Sequence, residues 1–481
     1  MRINLNNLRF IMFVVGLASM PMVSHGQAYK AAIGYDALFA EYGAALETGV
    51  GIRVFQPEAP DGAGSYMPDS SILSEFGGKT FINGTIPPVG TFNGHATAVA
   101  TNLYGNLSSI APGITNVTGA DANDYINRIL GAGISGTPAP IPQGYNVSNH
   151  SYVGNVSPVG IKIDLLRRYD FVINRDNTIA VAGANNGSAT ATTDIWGHSY
   201  NGITVGRSDG EHSRGMTTDY GAGRFKPDIV VPLAGPTSFS TPVVGAAAAL
   251  LQQAAGFDGF GNANNGGQNE VIKSTLFAGA TKEEFGAAWD RNSSRPVDEV
   301  FGFGELNIQN SYHIFKGGEF AASTSNPATN IGLLGWDYGN FTGSQLFYDF
   351  EIGAGQTLTE LSAALVWNAA VTDNPLTGAF DLTHVVANLD LELFDSSGTF
   401  MYTVGDFASS LRQSSLSTAY NYEHLYLTNL AAGNYTFRIK GDLATDYGFS
   451  WRITTAIPEP SGAFVLGLAL TASLIRRRRQ A

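Results

Sequence analysis

The chain has 481 residues, enough for about two or three domains, each with its own core. Only 14% of residues are charged and the formal net charge is −13, so no basic stripe exists to neutralise phosphates, and nucleic acid is excluded as a partner. There is no cysteine, which rules out disulfides and thiolate metal sites and leaves stability to packing or bound ions. Residues 1–26 carry Arg2 and Arg9, an apolar run from Phe10 to Val23, and the small residues Ser24 and Gly26, the layout of a signal peptide. The stretch from Ala31 to Ala40 reads as a short helix. Gly49-Val50-Gly51 then turns into an apolar strand over 52–55 that runs on to Gln56-Pro57-Glu58. Gly94-His95 starts a helix of small residues, Ala96-Thr97-Ala98-Val99-Ala100. Further apolar strands are expected at 179–182, 203–205 and 229–231, alternating with helices over 30–310, which indicates a parallel sheet covered on both faces.

The segment Gly235-Pro236-Thr237-Ser238-Phe239-Ser240-Thr241-Pro242 runs into Val243-Val244-Gly245-Ala246-Ala247-Ala248-Ala249, a polar turn opening a buried helix. Pro242 suits the first helical turn. A serine there sits at the positive end of a helix dipole beside free backbone N–H groups, where an oxyanion can form. The same residues also read as an ordinary N-cap on a core helix. Residues 318–330, rich in Ser, Thr, Asn, Ala and Gly, read as a linker. After it the pattern has period two: Leu389, Leu391 and Leu393; Tyr435, Phe437 and Ile439; Phe449, Trp451 and Ile453. Short alternating strands between Gly, Asn and Asp turns indicate a β-sandwich. Asp390 and Glu392 are candidate calcium ligands, although outward charges on a half-buried strand are more often solvated; no cofactor is required. Finally, Ile457-Pro458-Glu459-Pro460 precedes an apolar stretch from Gly462 to Ile475 and four arginines, Arg476 to Arg479. About 14 apolar residues are short for a stable span, which needs about 20, and the arginines would hold the C-terminus on the cytoplasmic side.

Taken in order, several of these blocks resemble motifs of the subtilases, the subtilisin-like serine peptidases. The Thr237-to-Pro242 run is similar to the T-S-x-x-x-P motif, with Ser238 on the nucleophile, and Lys226-Pro227-Asp228-Ile229-Val230 resembles the strand leading to it. Gly94-His95 resembles the histidine motif, and Ile110-Ala111-Pro112-Gly113 follows where the family has V-A-P-G. Val181-Ala182-Gly183-Ala184-Asn185-Asn186-Gly187 is similar to the A-A-G-N-x-G strand end, which puts Asn185 on the oxyanion-hole amide. Phe301-Gly302-Phe303-Gly304-Glu305-Leu306-Asn307 resembles the closing element of the family's domain. Val147-Ser148-Asn149-His150-Ser151-Tyr152-Val153-Gly154 resembles the substrate-cleft strand with Val153 as an extra residue, making Ser151 and Tyr152 candidate cleft-wall residues; an ordinary strand end is the other reading.

Two positions depart from the family. The strand that usually ends in Asp ends here in Glu58, one methylene longer, with Asp61 as the alternative carboxylate. Pro236 stands where Gly usually precedes Thr-Ser, so the turn beside the nucleophile must be rebuilt if the family's backbone there needs a glycine. His150, His198 and His212 compete with His95 for the base, and His95 is preferred for its Gly-His-Ala-Thr frame. The resemblance implies a subtilisin-like α/β domain over 27–317 and acyl transfer by Glu58, His95 and Ser238 on a polypeptide substrate, while composition and period two give the linker over 318–330 and the β-sandwich over 331–455. The turn at Gly49-Val50-Gly51 follows the expected signal cut at residue 26 closely, so control by removal of a pro-segment is not expected. The tail, 456–481, resembles the PEP-CTERM sorting signal of exosortase-bearing Gram-negative bacteria, with an ordinary tail anchor as the other reading. It implies transient membrane insertion, cleavage by exosortase-type machinery, and residence in the cell envelope or extracellular matrix. Against the exported peptidase stands a second class of function, an inactive surface scaffold that binds peptide or matrix polysaccharide.

Overall fold

The computed structural model describes residues 28–86, 92–132, 138–256, 264–292, 294–373, 380, 382–395, 414–415, 417–428 and 430–456. The stretch read as a signal peptide, 1–26, and all but the first residue of the stretch read as a sorting signal, 456–481, lie outside the described residues. Among the described residues no helix is long and apolar enough to cross a membrane.

The chain begins with helices α1 (Ala28–Ala32) and α2 (Tyr35–Tyr42), then β1 (Arg53–Glu58), α3 (Leu73–Phe76), β2 (Thr80–Asn83), α4 (Gly94–Tyr104), β3 (Asn116–Asp121) and α5 (Ala122–Asp124). It continues through β4 (Val147–His150), α6 (Val159–Asp176), β5 (Ile179–Gly183), β6 (Ile203–Arg207), the hairpin β7 (Gly215–Met216) and β8 (Phe225–Lys226), and β9 (Ile229–Val231). Helices α7 (Thr237–Ala254), α8 (Asn269–Gly279) and α9 (Ile308–Gly317) complete this part. Seven strands form one sheet in the order β2-β3-β1-β4-β5-β6-β9, and every pair is parallel. Val54, Val147, Val181 and Val205 share one apolar cluster with the buried alanine-rich helix α7, as expected of strands covered on both sides. β1 lies where the strand order reverses, with β3 on one side and β4 on the other. In open α/β sheets that reversal opens a crevice at the carboxyl ends of the strands. Glu58, the last residue of β1, stands at that crevice.

The remaining strands are β10 (Leu334–Phe341), β11 (Leu346–Ile352), β12 (Thr357–Trp367), β13 (Ala370–Asp373), β14 (Leu382–Val385) and β15 (Leu389–Asp395). They are followed by β16 (Ser414–Ser415), β17 (Tyr422–Leu427), β18 (Gly433–Gly441) and β19 (Thr445–Ala456). Antiparallel sheets β10-β19-β12-β17 and β11-β18-β15-β16 stack around Leu389, Leu391, Leu393, Phe437, Ile439, Phe449 and Trp451, the residues singled out by their period of two. Three expectations change. The stretch 318–330 does not run free: Phe320 N donates to Trp336 O at 2.9 Å, and Ser323 and Phe347 exchange backbone bonds of 3.0 and 2.8 Å. Its polar composition is that of a linker, but its peptide groups are used by the neighbouring strands. Nor is the sandwich a separate body. Ser450 Oγ lies 2.8 Å from Ser274 Oγ and 3.0 Å from Thr275 Oγ1 of α8, and Asn368 Nδ2 donates to Glu270 Oε1 at 2.7 Å. Trp336, Val366 and Tyr422 of the β region belong to the same apolar cluster as the parallel sheet. Finally, Glu392 is buried rather than solvated, with Lys440 Nζ at 2.9 Å and Arg438 Nε at 2.6 Å, and Asp390 lies 3.6 Å from Lys440.

Candidate active site

α4 is capped by Asn93, whose side-chain oxygen accepts from Ala96 N at 3.0 Å, a bond that fixes the first turn and with it His95. His95 Nδ1 lies 3.0 Å from Glu58 Oε2; the carboxylate is 1% exposed and the imidazole 30%. An ionised carboxylate only accepts, so this contact keeps the ring proton on Nδ1 and leaves Nε2 free to accept. Glu58 Oε1 in turn accepts from Gln56 Nε2 at 3.0 Å. Asp61, the alternative carboxylate, is spent on its own turn: one oxygen accepts from Ala63 N at 2.8 Å and Ser65 N at 2.9 Å.

Ser238 is the second residue of α7, and the ring of Phe239 beside it has its centroid 6.5 Å from that of His95. Pro236 precedes the helix at φ −70°, the value its ring prefers, and the left-handed φ of +113° falls on Gly235. The condition under which Pro236 would force a rebuilt turn, a glycine conformation at its own position, is not met. Pro242 lies deeper in the helix than its predicted place in the first turn. Lacking an N–H, it leaves the carbonyl four residues back, that of Ser238, without its helical donor. Ser151 Oγ supplies the replacement, donating to Ser238 O at 3.0 Å, and itself accepts from Asn149 Nδ2 at 3.0 Å. The cleft strand and the serine turn are thus tied together. His95 Nε2 makes no hydrogen bond to a described residue, Ser238 included.

Of the two adjacent asparagines, the structure brings Asn186, not Asn185, against the serine turn. Asn186 Oδ1 accepts from Thr237 N at 2.8 Å, which turns its Nδ2 the other way. Asn185 Oδ1 accepts from Asn186 N at 2.9 Å, and the Asn185 backbone pairs with Ser213 at 2.9 and 2.7 Å. The A-G-A-N-N-G run offers two asparagines, and the N-x-G spacing selects the first of them. Tyr152 is also placed differently: its phenol turns inward beside Tyr125 and Trp196, with the hydroxyl 3.1 Å from His150 Nδ1. The competing histidines are structural. His150 is fully buried, 2.7 Å from Ser148 Oγ, and burial pulls its pKa down to about 3. Burial likewise brings His198 down to about 4, and His212 accepts from Arg207 N at 3.0 Å.

The profile of the subtilase family matches residues 44–304, more than half of the chain and the whole span of this site. The chain is a subtilase. Subtilisin Savinase of Lederbergia lenta is 30% identical to this subtilase over 225 residues, covering 43% of this chain and 78% of the relative. The alkaline protease of Alkalihalobacillus alcalophilus is 30% identical over 225 residues, covering 43% of this chain and 55% of its own. The subtilase thus spans about half the length of that relative. Among solved structures, fervidolysin from Fervidobacterium pennivorans, a keratinolytic enzyme related to subtilisin, aligns with 88% of this chain and 64% of its own at 12% identity and a TM-score of 0.39.

Proposed function

We propose that this subtilase is an exported serine endopeptidase in which glutamate takes the usual place of aspartate in the triad. The 3.0 Å contact between Glu58 Oε2 and His95 Nδ1 carries the reading, and the alternative carboxylate three residues on, Asp61, is engaged in its own turn. His95 Nε2 takes the Ser238 proton as Oγ attacks the scissile carbonyl, then returns it to the leaving amine. The acyl group is held on Ser238 until water repeats the sequence. We assign the oxyanion donors to the Ser238 N–H and Asn186 Nδ2, whose partner oxygen is anchored on Thr237 at 2.8 Å. Export rests on the N-terminal signal peptide. The PEP-CTERM-like tail assigns the protein to exosortase-type processing after transient membrane insertion, and the mature chain to the cell envelope or matrix of a Gram-negative bacterium.

Fluorophosphonate labelling of the full chain tests this. Labelling should vanish in Ser238→Ala and weaken strongly in Glu58→Ala. Asn186→Leu should lower peptide turnover on the order of 10²–10³-fold, a magnitude established on subtilisin and carried here as an expectation, whereas Asn185→Leu should not. A well-folded wild type that takes no label would support the inactive peptide- or polysaccharide-binding scaffold.

A further inference from the structure

Along β1, residues two apart share a face, so Gln56 points the same way as Glu58, toward α4. Both are buried, Gln56 at 0% and Glu58 at 1% exposure. Gln56 Nε2 donates to Glu58 Oε1 at 3.0 Å and to Ala96 O at 2.9 Å, while its Oε1 accepts from Tyr104 OH at 2.5 Å. Ala96 and Tyr104 are eight residues apart on α4 and lie on one face, with His95 beside the first of them. Chemistry fixes the orientation of this amide. Flipped, its oxygen would meet a carboxylate and a carbonyl, two acceptors with no water to intervene, so only the orientation with Nε2 toward Glu58 is sustainable. The tyrosine hydroxyl, donating to Oε1, closes the other side.

A glutamate has one more rotatable bond than an aspartate, and each free torsion spreads the carboxylate over more positions. Gripping one oxygen removes that freedom and leaves the other aimed at His95. We propose that Gln56, itself fixed by Tyr104, is a positioning residue that holds Glu58 so that the longer carboxylate can serve His95. The proposal rests on the peptidase reading above. It assigns to Gln56 and Tyr104 no contact with substrate; both act through Glu58.

Double-mutant cycles in the full chain separate this from a purely structural role, using fluorophosphonate labelling resolved into its binding constant and its maximal rate. Gln56→Met keeps the volume and removes both donors. It should lower the maximal rate roughly tenfold with the binding constant unchanged, the size of one hydrogen bond to a charged group. In a Glu58→Ala background the same substitution should have no further effect. Equal losses in both backgrounds, or no loss in the single variant, overturn the proposal. Should Gln56→Met fail to fold, Tyr104→Phe decides in the same cycle, with about a threefold loss expected and the same disappearance in Glu58→Ala. A labelled wild type with an additive cycle removes only the positioning role. An unlabelled, well-folded wild type overturns the peptidase reading and this proposal with it.

Discussion

Burial on its own lowers the pKa of His95, but the charge of Glu58 and its hydrogen bond to Nδ1 outweigh that, and the net shift is upward from 6.5. A base must be neutral to accept the serine proton, so kcat/KM should rise with pH along a limb lying above 6.5. Glu58→Gln removes the charge and leaves the burial, so its limb should move to lower pH while the plateau falls. Profiles measured from about pH 5 to about pH 9 check this, and an unmoved or upward limb would contradict the pairing. Stability has the opposite sign: the raised pKa means His95 contributes most when protonated, and that contribution is lost as pH rises through its folded value. At this scale the proposed triad positions His95, Ser238 and Glu58 could be singled out because each sits in a local frame, a helix start or a strand end. Asn186 was not. Two adjacent asparagines differ only in which one the sheet register delivers to Thr237, and that is a tertiary fact.

Secondary-structure elements were legible to the extent that their faces differ. In β15 and β18 the apolar residues alternate with polar or charged ones and the structure buries the apolar set, with Glu392 buried beside it. In β19 the other face carries Gly448 and Ser450, small residues that look neutral in sequence but meet α8. A Cβ on Gly448 would lie 2.4 Å from the backbone carbonyl of Glu270, an overlap that only movement of helix against sheet can relieve. Gly448→Ala should therefore cost about 2–3 kcal/mol in denaturant unfolding. As a control, Gly160→Ala in α6, where nothing lies within 4 Å of the new methyl, should be neutral or slightly stabilising. Equal stabilities for the two variants would show that α8 is not clamped by β19.

The whole molecule joins its two parts through α8, every residue of which is buried, and through an apolar cluster that runs from the parallel sheet into Trp336, Val366 and Tyr422. Such a shared core should unfold as one unit despite its length. Calorimetry should show a single transition with matching van't Hoff and calorimetric enthalpies, and two resolved transitions would refute the continuity. Ending the chain at Gly317 should expose the apolar side of α8 and give insoluble protein. By itself the sequence determined the parallel-sheet and β-sandwich layers and the order of the motifs, and it singled out the three side chains proposed as the triad, since hydrophobic period and capping chemistry are local. Only the tertiary structure decided which asparagine faces the serine, that Ser151 replaces the donor Pro242 lacks, that Tyr152 turns inward, and that the sandwich is part of the core. Those outcomes depend on surfaces brought together from positions far apart in the chain, and no local pattern records what a small residue will be packed against.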